Sequence, residues 1–423
     1  MTVAGALVAL VAVVAAFPLL PFSPRPRAVV MSAAELPELS HEEVRRYSRH
    51  LILSDLGVQG QRKLKASSVL CIGSGGLGSP ASMYLAAAGV GTIGIIDDDV
   101  VDESNLQRQI VHSTDMVGEP KVDSARERLR QINPHVKVIT YRERLSETHA
   151  LERLAPYDLV LDGSDNFPTR YLVNDACVIL NKPLVYGAVQ QFEGQVSLFN
   201  YRGGPNYRDI FPIPPPPGGV PSCAEGGVLG VLPGVIGTLQ ATEAIKALLG
   251  RDEAECLSGR LLQYDAMRMR FREVRFQPRP HLPPITKLVD YRGFCGQMAA
   301  ETAIANCTGA AAEEPYVRVS IAEVRARLDN SWEPFVLDVR TASEAAIVSL
   351  PFVDLQQPHR QVAHVVAALP RDRDILVHCK AGVRSRVACE TLAKLGFPRD
   401  KLFSMEGGIL AWARELDPSM PLY

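Results

Sequence analysis

Four glycines near the start of the chain stand between two apolar runs, and their spacing points to chemistry. Residues 69–72 are apolar and lead into Gly73, Gly75, Gly76 and Gly78. A second apolar run, residues 93–96, ends in Asp97. Glycines in such a turn let the backbone approach a phosphate, and the helix that follows offers the anion unpaired N–H groups. Asp97 stands where a carboxylate could accept hydrogen bonds from a ribose. The pattern predicts a nucleotide-binding βαβ unit.

Two cations indicate which nucleotide this unit binds. Arg108 and Lys121 both follow the second apolar run. A triphosphate needs such cations, whereas the pyrophosphate bridge of a dinucleotide does not. Asp165, which Asn166 follows, comes at the carboxyl end of a further apolar run, where its carboxylate could hold a phosphate-bound magnesium ion. ATP with Mg2+ is therefore predicted, and NAD in an oxidoreductase is the alternative.

A cysteine follows an apolar strand near the carboxyl end of the chain. Cys379 comes directly after residues 374–378 and opens a short cationic loop that ends in Arg384. The inward amides of a loop that runs into a helix stabilise a sulfur anion strongly. Cysteine phosphatase loops have five residues between cysteine and arginine, whereas this loop has four. The tighter loop predicts a persulfide carrier, and a purely structural domain is the alternative.

Cys223 is a third candidate. It lies in the proline-rich residues 202–227, which predict an irregular loop, and it precedes an apolar helix expected at residues 231–249. A helix N-terminus lowers the pKa of a nearby thiol. A functional thiolate and an inert loop cysteine are both compatible with this spacing.

The elements that position these residues alternate between helix and strand. Between residues 37 and 276 the pattern predicts a largely parallel sheet with covered faces, to which residues 194–199 and 264–276 add antiparallel strands. Residues 316–423 repeat the alternation of helix and strand in a smaller unit. Residues 277–315 are interpreted as a linker. We expect an α/β protein with a Rossmann-like ATP-binding domain, built on a mixed, mainly parallel sheet, and a second α/β domain.

Composition narrows the possible functions. The chain has 423 residues and a net charge of -2, so it lacks the excess of basic residues that is typical of nucleic-acid-binding proteins. Its eight cysteines are scattered without the spacing of a disulfide framework, which favours a reducing compartment.

The first residues are apolar. Residues 3–22 carry no charge and precede Arg25 and Arg27, so they are long enough to span a bilayer with the rest of the chain on the cytoplasmic or stromal side. Pro18 interrupts the stretch, which favours a removable targeting segment, and Met31 could be the true start. Residues 1–36 are therefore interpreted as a targeting or anchor segment of a cytoplasmic or organellar protein.

These motifs resemble a known family. GSGGLGSP, DDDVVDESNLQRQ, VGEPKVDSA and GSDNFPTRYLVNDAC are similar to the ubiquitin-activating-like adenylating enzymes of the molybdopterin-synthase and thiamine pathways. VLDVR and HCKAGVRS look like a rhodanese domain. The whole resembles the fusions that thiolate ubiquitin-like sulfur carriers. The resemblance implies ATP-dependent adenylation of the carrier's C-terminal glycine, then persulfide transfer to give a thiocarboxylate, for molybdopterin synthesis or tRNA thiolation. An adenylating enzyme with a non-catalytic rhodanese-like module is the alternative.

The resemblance also assigns roles to residues. It implies that Cys379 and Arg384 serve sulfur transfer from a persulfide or thiosulfate donor, and that Cys223 either attacks the activated carrier or resolves the intermediate formed with Cys379. It implies a homodimer in which Arg49 reaches the phosphates bound by the partner subunit. Direct nucleic-acid binding is not expected. The implied nucleotide contacts are Gly76, Asp97, Ser104, Asn105, Leu106, Gln107, Arg108, Lys121, Asp165 and Asn166.

The chain departs from the family at one metal site. Many relatives hold a structural zinc with two Cys-x-x-Cys pairs, but here Asn206 and Asp209 stand in place of the first pair. No cysteine follows Phe276 until Cys295. A closed tetrahedral zinc site needs its full set of ligands, so no zinc is predicted.

Overall fold

The computed structural model describes residues 36–215, 226–296 and 314–423. The apolar segment 3–22 and Cys223 lie outside these ranges, so the predictions made for them are not addressed. Among the described helices, none combines the length and the apolar character needed to cross a membrane.

An eight-stranded mixed sheet forms the first unit, in the order β3-β2-β1-β4-β5-β6-β7-β8. Strands β1 to β5 are parallel, and β6, β7 and β8 add to the β5 edge in antiparallel fashion. The predicted mainly parallel sheet is confirmed. The strands are β1 Ser68–Ile72, β2 Thr92–Ile96, β3 Lys137–Tyr141, β4 Leu159–Asp162, β5 Leu184–Gln190, β6 Glu193–Phe199, β7 Arg260–Asp265 and β8 Arg270–Arg275.

Helices cover both faces of this sheet. Because strand side chains alternate between faces, Val69 and Cys71 of β1 enter one apolar core while Leu70 and Ile72 enter another. The helices are α1 His41–Arg46, α2 Ser48–Leu51, α3 Gly57–Ala66, α4 Gly78–Ala87, α5 Lys121–Ile132, α6 Ala150–Leu154, α7 Phe167–Leu180, α8 Tyr207–Ile210, α9 Val231–Leu249 and α10 Tyr291–Phe294. α4 and α9 pack in the first core, and α7 packs in the second.

Two segments of the first unit differ from the sequence-based expectation. Residues 264–276 were expected to form one strand, but β7 and β8 form a hairpin. Its turn is closed by Asp265, which accepts from the Arg268 amide at 3.0 Å, and by Met269, whose φ is 49°. Residues 202–227 were expected to be irregular, yet they contain α8, because Asn206 and Asp209 form a capping box around its short turn.

The packed region of the first unit continues past Phe276. α10 brings Tyr291 and Cys295, which are 3% and 7% exposed, into the core that α7 covers. Part of the stretch interpreted as a linker therefore belongs to this core.

A five-stranded parallel sheet forms the second unit, in the order β11-β10-β12-β13-β9. The predicted smaller α/β domain is confirmed. Its strands are β9 Val317–Val319, β10 Phe335–Asp338, β11 Leu355–Gln356, β12 Ile375–His378 and β13 Leu402–Met405. Its α-helices are α11 Ile321–Asp329, α12 Ala342–Ile347, α13 Val383–Lys394 and α14 Gly408–Glu415, and a 3-10 segment covers His359–Ala368.

Candidate active sites

The candidate nucleotide site is a cleft at the carboxyl ends of β1, β2 and β4. The strand order reverses between β1 and β4, and such switch points are where open α/β sheets bind ligands. Of the predicted nucleotide contacts, six line this cleft: Gly76, Asp97, Arg108, Lys121, Asp165 and Asn166.

The glycine-rich loop is built around close backbone contacts. A Cβ at Gly78 would lie 2.0 Å from the carbonyl oxygen of Gly73, so no other residue fits there. Gly73 itself has a φ of 89°, in the left-handed region that favours glycine. The loop therefore turns tightly into α4 and directs the start of that helix towards the cleft.

Asp97 fixes this loop as well as facing the cleft. Its Oδ2 accepts from the backbone amide of Ser74 at 2.8 Å and from the Ser74 hydroxyl at 3.0 Å. Its Oδ1 accepts from the Asp99 amide at 3.0 Å. A carboxylate has further lone pairs, so the predicted ribose contact is compatible with these bonds.

His112 forms hydrogen bonds that hold the same glycine-rich loop, and the sequence did not indicate this role. Its Nε2 is 3.0 Å from the carbonyl oxygen of Ser74, and its Nδ1 is 2.9 Å from the hydroxyl of Ser124 on α5. Burial lowers the pKa of His112. The neutral ring therefore donates to the loop and accepts from α5. A single histidine in an irregular segment gave no sequence signal for this role.

Asn105 orients two side chains of the cleft. Its Oδ1 accepts from a terminal nitrogen of Arg108 at 2.9 Å and from Nε2 of Gln109 at 3.0 Å. Within the described ranges Ser104, Asn105, Leu106 and Gln107 do not line the cleft itself. The structure therefore places this segment beside the cleft, where it positions Arg108.

Lys121, the other cation predicted to bind phosphate, lies among acidic groups. Lys121 is buried at the start of α5 and donates to Asp99 at 2.8 Å. Oxygens of Asp97, Asp98 and Asp99 lie within 4.8 Å of one another, and Asp165 also lines the cleft. Carboxylate oxygens are ligands that Mg2+ prefers, so the donor set fits a magnesium ion held with phosphate.

Asn166 and Arg49 have different surroundings from the other predicted contacts. Asn166 caps α7, because its Oδ1 accepts from the Thr169 amide at 3.0 Å, and its Nδ2 lies 3.4 Å from Asp165. Arg49 is exposed on α2. The structure brings Asn166 to the cleft and leaves Arg49 on the surface.

Arg170 is a cleft residue that sequence reasoning did not single out. One terminal nitrogen donates to the carbonyl oxygen of Ser164 at 3.3 Å. Its guanidinium carbon lies 5.5 Å from the ring centre of Phe167 and 5.7 Å from that of Tyr186. Its Nε is buried without a hydrogen-bond partner. The position of Arg170 in the first turns of α7, just after Asp165, was the available signal.

Hydrogen bonds join the two segments that would carry zinc ligands in the resembled family. Asp209 Oδ2 accepts from the amide and side chain of Asn206 at 2.8 and 2.9 Å, while its Oδ1 accepts from the Arg279 amide at 2.7 Å. Arg208 forms two bonds, at 2.8 and 2.7 Å, with the buried Asp175. The side chains at the substituted positions thus link residues 206–209 to residue 279 directly.

The second candidate site lies at the carboxyl end of β12. Cys379 is 1% exposed, and its Sγ accepts from the amide of Gly382 at 3.1 Å. Gly382 has a φ of 90°, which turns the loop inward before α13 begins at Val383. The loop, which was expected to end in Arg384, ends before that residue because this glycine completes the turn. Arg384 therefore lies in the first turn of the helix.

Glu344 completes this site and was not singled out from the sequence. Its two carboxylate oxygens accept from the two terminal nitrogens of Arg384 at 2.8 and 2.6 Å. Burial alone raises the pKa of Glu344, but the bonds from Arg384 and Thr341 outweigh it and lower that pKa to about 2. Arg384 is thus held by a carboxylate on α12 that stays ionised.

His378 lies beneath the cysteine loop and has an unusual environment. Its side chain is fully buried, and neither ring nitrogen has a hydrogen-bond partner. Burial lowers the pKa of His378 to about 4, although Asp338 opposes the shift. Nε2 of His378 lies 3.9 Å from Asp338 Oδ2, so the charged group that opposes the shift belongs to β10.

Comparison with protein families divides the chain in the same way. A model of the ThiF family matches residues 47–284, and a model of the rhodanese-like domain matches residues 320–415. Each match contains one of the two candidate sites.

Two relatives match along most of the chain. The Mycobacterium tuberculosis protein named probable adenylyltransferase/sulfurtransferase MoeZ is 47% identical over 390 residues, which cover 91% of this chain and 96% of the relative. The Anopheles gambiae protein named adenylyltransferase and sulfurtransferase MOCS3 is 41% identical over 411 residues, which cover 91% and 90%. Among solved structures, E. coli MccB with MccA-N7isoASN has a TM-score of 0.52 and 21% identity, over 58% of this chain and 75% of that chain. The last comparison shows likeness of fold alone.

Proposed function

Because this chain belongs to the ThiF family and ends in a rhodanese-like domain, we propose that it adenylates the C-terminal glycine of a ubiquitin-like sulfur carrier and then converts that carboxylate into a thiocarboxylate. The chain is an adenylyltransferase and a sulfurtransferase, and the product serves molybdopterin synthesis or tRNA thiolation. One observation carries the proposal: the same chain holds a cleft lined by glycines, cations and carboxylates and a buried cysteine whose Sγ accepts a backbone N–H.

In the first step an oxygen of the carrier carboxylate attacks the α-phosphorus of ATP and pyrophosphate leaves. Gly76, Arg108 and Lys121 bind the phosphates, and Asp97 binds the ribose. Asp165 would hold Mg2+, which would neutralise charge on the leaving pyrophosphate. Asn105 positions Arg108, and Asn166 positions the start of α7. The clustering of these groups in one cleft supports catalysis by positioning and charge neutralisation.

The partner subunit of a homodimer contributes Arg49. This residue is exposed on α2 and is not among the residues that line the described cleft. A cation supplied across a dimer interface would complete the phosphate site.

In the second step Cys379 carries sulfur. A sulfur donor converts Cys379 to a persulfide, and the amide of Gly382 stabilises the sulfur anion. The terminal sulfur of the persulfide then attacks the acyl carbon and AMP leaves, which gives an acyl disulfide. A thiolate must attack Sγ of Cys379 to release the thiocarboxylate, and Cys223 serves as that thiol. An external thiol then reduces the disulfide between the two cysteines.

The cysteines suit this chemistry. The six cysteines within the described ranges are all free thiols. A compartment that supplies ATP and keeps thiols reduced, either the cytoplasm or an organelle, fits the proposed reaction.

The test is the intact mass of a ubiquitin-like carrier ending in Gly-Gly after incubation with the protein, ATP, Mg2+ and a persulfide or thiosulfate donor. Replacement of one carboxylate oxygen by sulfur is expected. If AMP forms while the carrier mass stays unchanged, the second domain is a binding module and the sulfur-transfer half of the proposal is wrong.

A further inference from the structure

The nucleotide cleft is crowded with negative charge. Its lining includes five acidic residues: Asp97, Asp98, Asp99, Glu143 and Asp165. ATP adds a polyphosphate to this cleft, and the proposed substrate adds a carboxylate that must approach the α-phosphorus. Bringing one more anion into such a site requires a cation that the other anions have not already neutralised.

Four cationic residues line the described cleft. Three of them already have an ion-pair partner or a proposed role in binding phosphate. Lys121 pairs with Asp99 at 2.8 Å, and Arg144 lies 3.6 Å from Asp98. Arg108 is held by Asn105 and is assigned to the phosphates. Arg170 is the fourth, and within the described residues it forms no ion pair with a carboxylate.

The surroundings of Arg170 leave the edge of its guanidinium for an anion. The aromatic rings of Phe167 and Tyr186 lie near the guanidinium, in positions that stabilise its charge without using its N–H groups. One terminal nitrogen donates to the Ser164 carbonyl, whereas Nε is buried with no partner. A buried donor without a partner is destabilising, so a ligand that accepts a hydrogen bond from this edge would be favourable. Carboxylates bind guanidinium groups edge-on in the same plane.

A purely structural role does not account for this geometry. The nearest structural candidate is Asp162, which is 1% exposed, but its Oδ2 has no hydrogen-bond partner and forms no bond with Arg170. Burial lowers the pKa of Arg170, but electrostatic interactions with Tyr186 and Asp162 outweigh it, so the net shift is upward.

We propose that Arg170 binds the C-terminal carboxylate of the carrier, an inference that rests on the function proposed above. The guanidinium edge holds one carboxylate oxygen while the other attacks the α-phosphorus. A bond forms between that oxygen and phosphorus, the bond from phosphorus to the bridging oxygen breaks, and pyrophosphate leaves. Arg170 thus selects a free carboxylate and sets its angle of attack.

The experiment is a thermodynamic cycle with two enzymes and two carriers. The wild-type chain and Arg170→Gln, which keeps a donor for the Ser164 carbonyl, are each titrated with a carrier ending in Gly-Gly carboxylate and with the same carrier ending in a carboxamide. We expect the wild-type chain to bind the carboxylate form at least 10-fold more tightly than the amide form. Arg170→Gln should bind both forms equally while its affinity for ATP stays unchanged.

Two further variants sharpen the test. Arg170→Lys keeps the charge without the planar fork and should restore part of the preference for the carboxylate. Arg128→Gln, an exposed arginine on α5, should behave as wild type in every titration. If Arg170→Gln weakens both carriers equally, Arg170 has only a structural role. If it weakens ATP binding instead, Arg170 is a phosphate ligand. Either result overturns the inference.

Failure of the proposed function has a different signature. If the wild-type chain exchanges no pyrophosphate into ATP with any carrier ending in Gly-Gly, the adenylation step itself is wrong. A wild-type chain that does exchange pyrophosphate but shows no preference for the carboxylate form overturns the role of Arg170 alone.

Discussion

Both terminal nitrogens of Arg384 donate to the carboxylate of Glu344, at 2.8 and 2.6 Å, and both residues are more than nine-tenths buried. The pair fixes the first turn of α13 to α12, and the Cys379 loop runs directly into that turn. The loop that holds the sulfur is therefore anchored by an ion pair that lies outside it.

Replacing Glu344 by Gln should reduce sulfur transfer at least 10-fold and leave adenylation intact. Glutamine cannot accept from both nitrogens of Arg384, so a buried charge loses its partner, which costs about 3–5 kcal/mol. Persulfide formation on Cys379, followed by mass spectrometry, measures the first effect, and carrier-dependent pyrophosphate exchange measures the second.

Glu323 offers a matched control for that substitution. It forms the same kind of capping box, with Ser320 at the start of α11, but has no arginine partner at the cysteine loop. Glu323→Gln should keep sulfur transfer within twofold of wild type. Equal losses in the two variants would mean that the capping box, and not the pair with Arg384, supports the loop.

The second domain should lose stability on acidification through His378. Burial holds the pKa of this residue at about 4 in the folded chain, against 6.5 for an exposed histidine, so the unfolded state takes up a proton first. The neutral form therefore stabilises the fold above pH 6.5, and this contribution is lost as the pH falls towards 4. Between pH 7.5 and 5 the loss amounts to about 2 kcal/mol.

Replacing His378 by Leu should remove that pH dependence. Because the ring nitrogens have no hydrogen-bond partner, the substitution removes an unsatisfied polar group, and the variant should be at least as stable as wild type at pH 5. Urea unfolding followed by tryptophan fluorescence reports on this domain alone, since Trp332 and Trp412 are the two tryptophans of the chain. His364→Leu, at an exposed position, should retain the wild-type dependence.

Glu344 extends the acid sensitivity to lower pH. Its pKa falls on folding from the ordinary value of 4.5 to about 2, so the ionised carboxylate stabilises the domain above pH 4.5. This contribution is lost as the pH drops towards 2. In Glu344→Gln the unfolding free energy should depend less on pH between 4.5 and 2 than in wild type, as measured by the same tryptophan signal.

Replacing Cys379 by Ser should abolish sulfur transfer and leave adenylation unchanged. A hydroxyl cannot carry a persulfide, whereas the nucleotide cleft lies in the other sheet and does not involve this residue. Carrier thiocarboxylate and pyrophosphate exchange are the two measurements. Cys389→Ala, a core cysteine on α13, should keep both activities. A parallel loss of both activities in Cys379→Ser would contradict the proposal that Cys379 serves sulfur transfer but not adenylation.

Local patterns predicted the elements that place the sites, because each depends on neighbours in sequence. The glycines from Gly73 to Gly78, the strand that ends in Asp97 and the loop from Cys379 to Arg384 all fall at the carboxyl ends of strands as expected. Runs of apolar residues and the turn residues that follow them are enough to predict where these strands end.

The missed residues act across the fold. His112 joins the glycine loop to α5, and Glu344 joins α12 to α13, so their partners are far away in sequence. The β7–β8 hairpin was missed for a different reason, since Met269 adopts a left-handed φ that alternation cannot reveal. Sequence patterns and secondary-structure propensities depend on residues that are close along the chain. The roles of His112 and Glu344 depend on tertiary contacts.

Replacing Asn105 by Ala should weaken ATP binding about 10-fold, which corresponds to about 1.4 kcal/mol. Asn105 is the common acceptor for Arg108 and Gln109, so the substitution frees Arg108, the proposed phosphate ligand, to adopt other rotamers. Calorimetric titration with ATP and Mg2+ measures the loss. Asn330→Ala, which removes an amide from the second domain, serves as the control and should bind ATP as wild type does. Unchanged ATP affinity in Asn105→Ala would show that Arg108 needs no such support.

Metal chelation should leave the first domain as stable as before, because a hydrogen bond from the Arg279 amide to Asp209 joins the two segments around residues 206–209 and 279. Oδ1 of Asp209 accepts from the Arg279 amide, while its Oδ2 accepts from the amide and the side chain of Asn206. Asp209→Ala should therefore raise hydrogen exchange of both segments together and lower local stability by about 2 kcal/mol. Asp290→Ala removes the cap of an equally short helix, α10, without a bond to a distant segment, so its effect should stay local and near 1 kcal/mol. Faster exchange at residues 206–209 after treatment with 1,10-phenanthroline would instead reveal a bound metal and contradict this account.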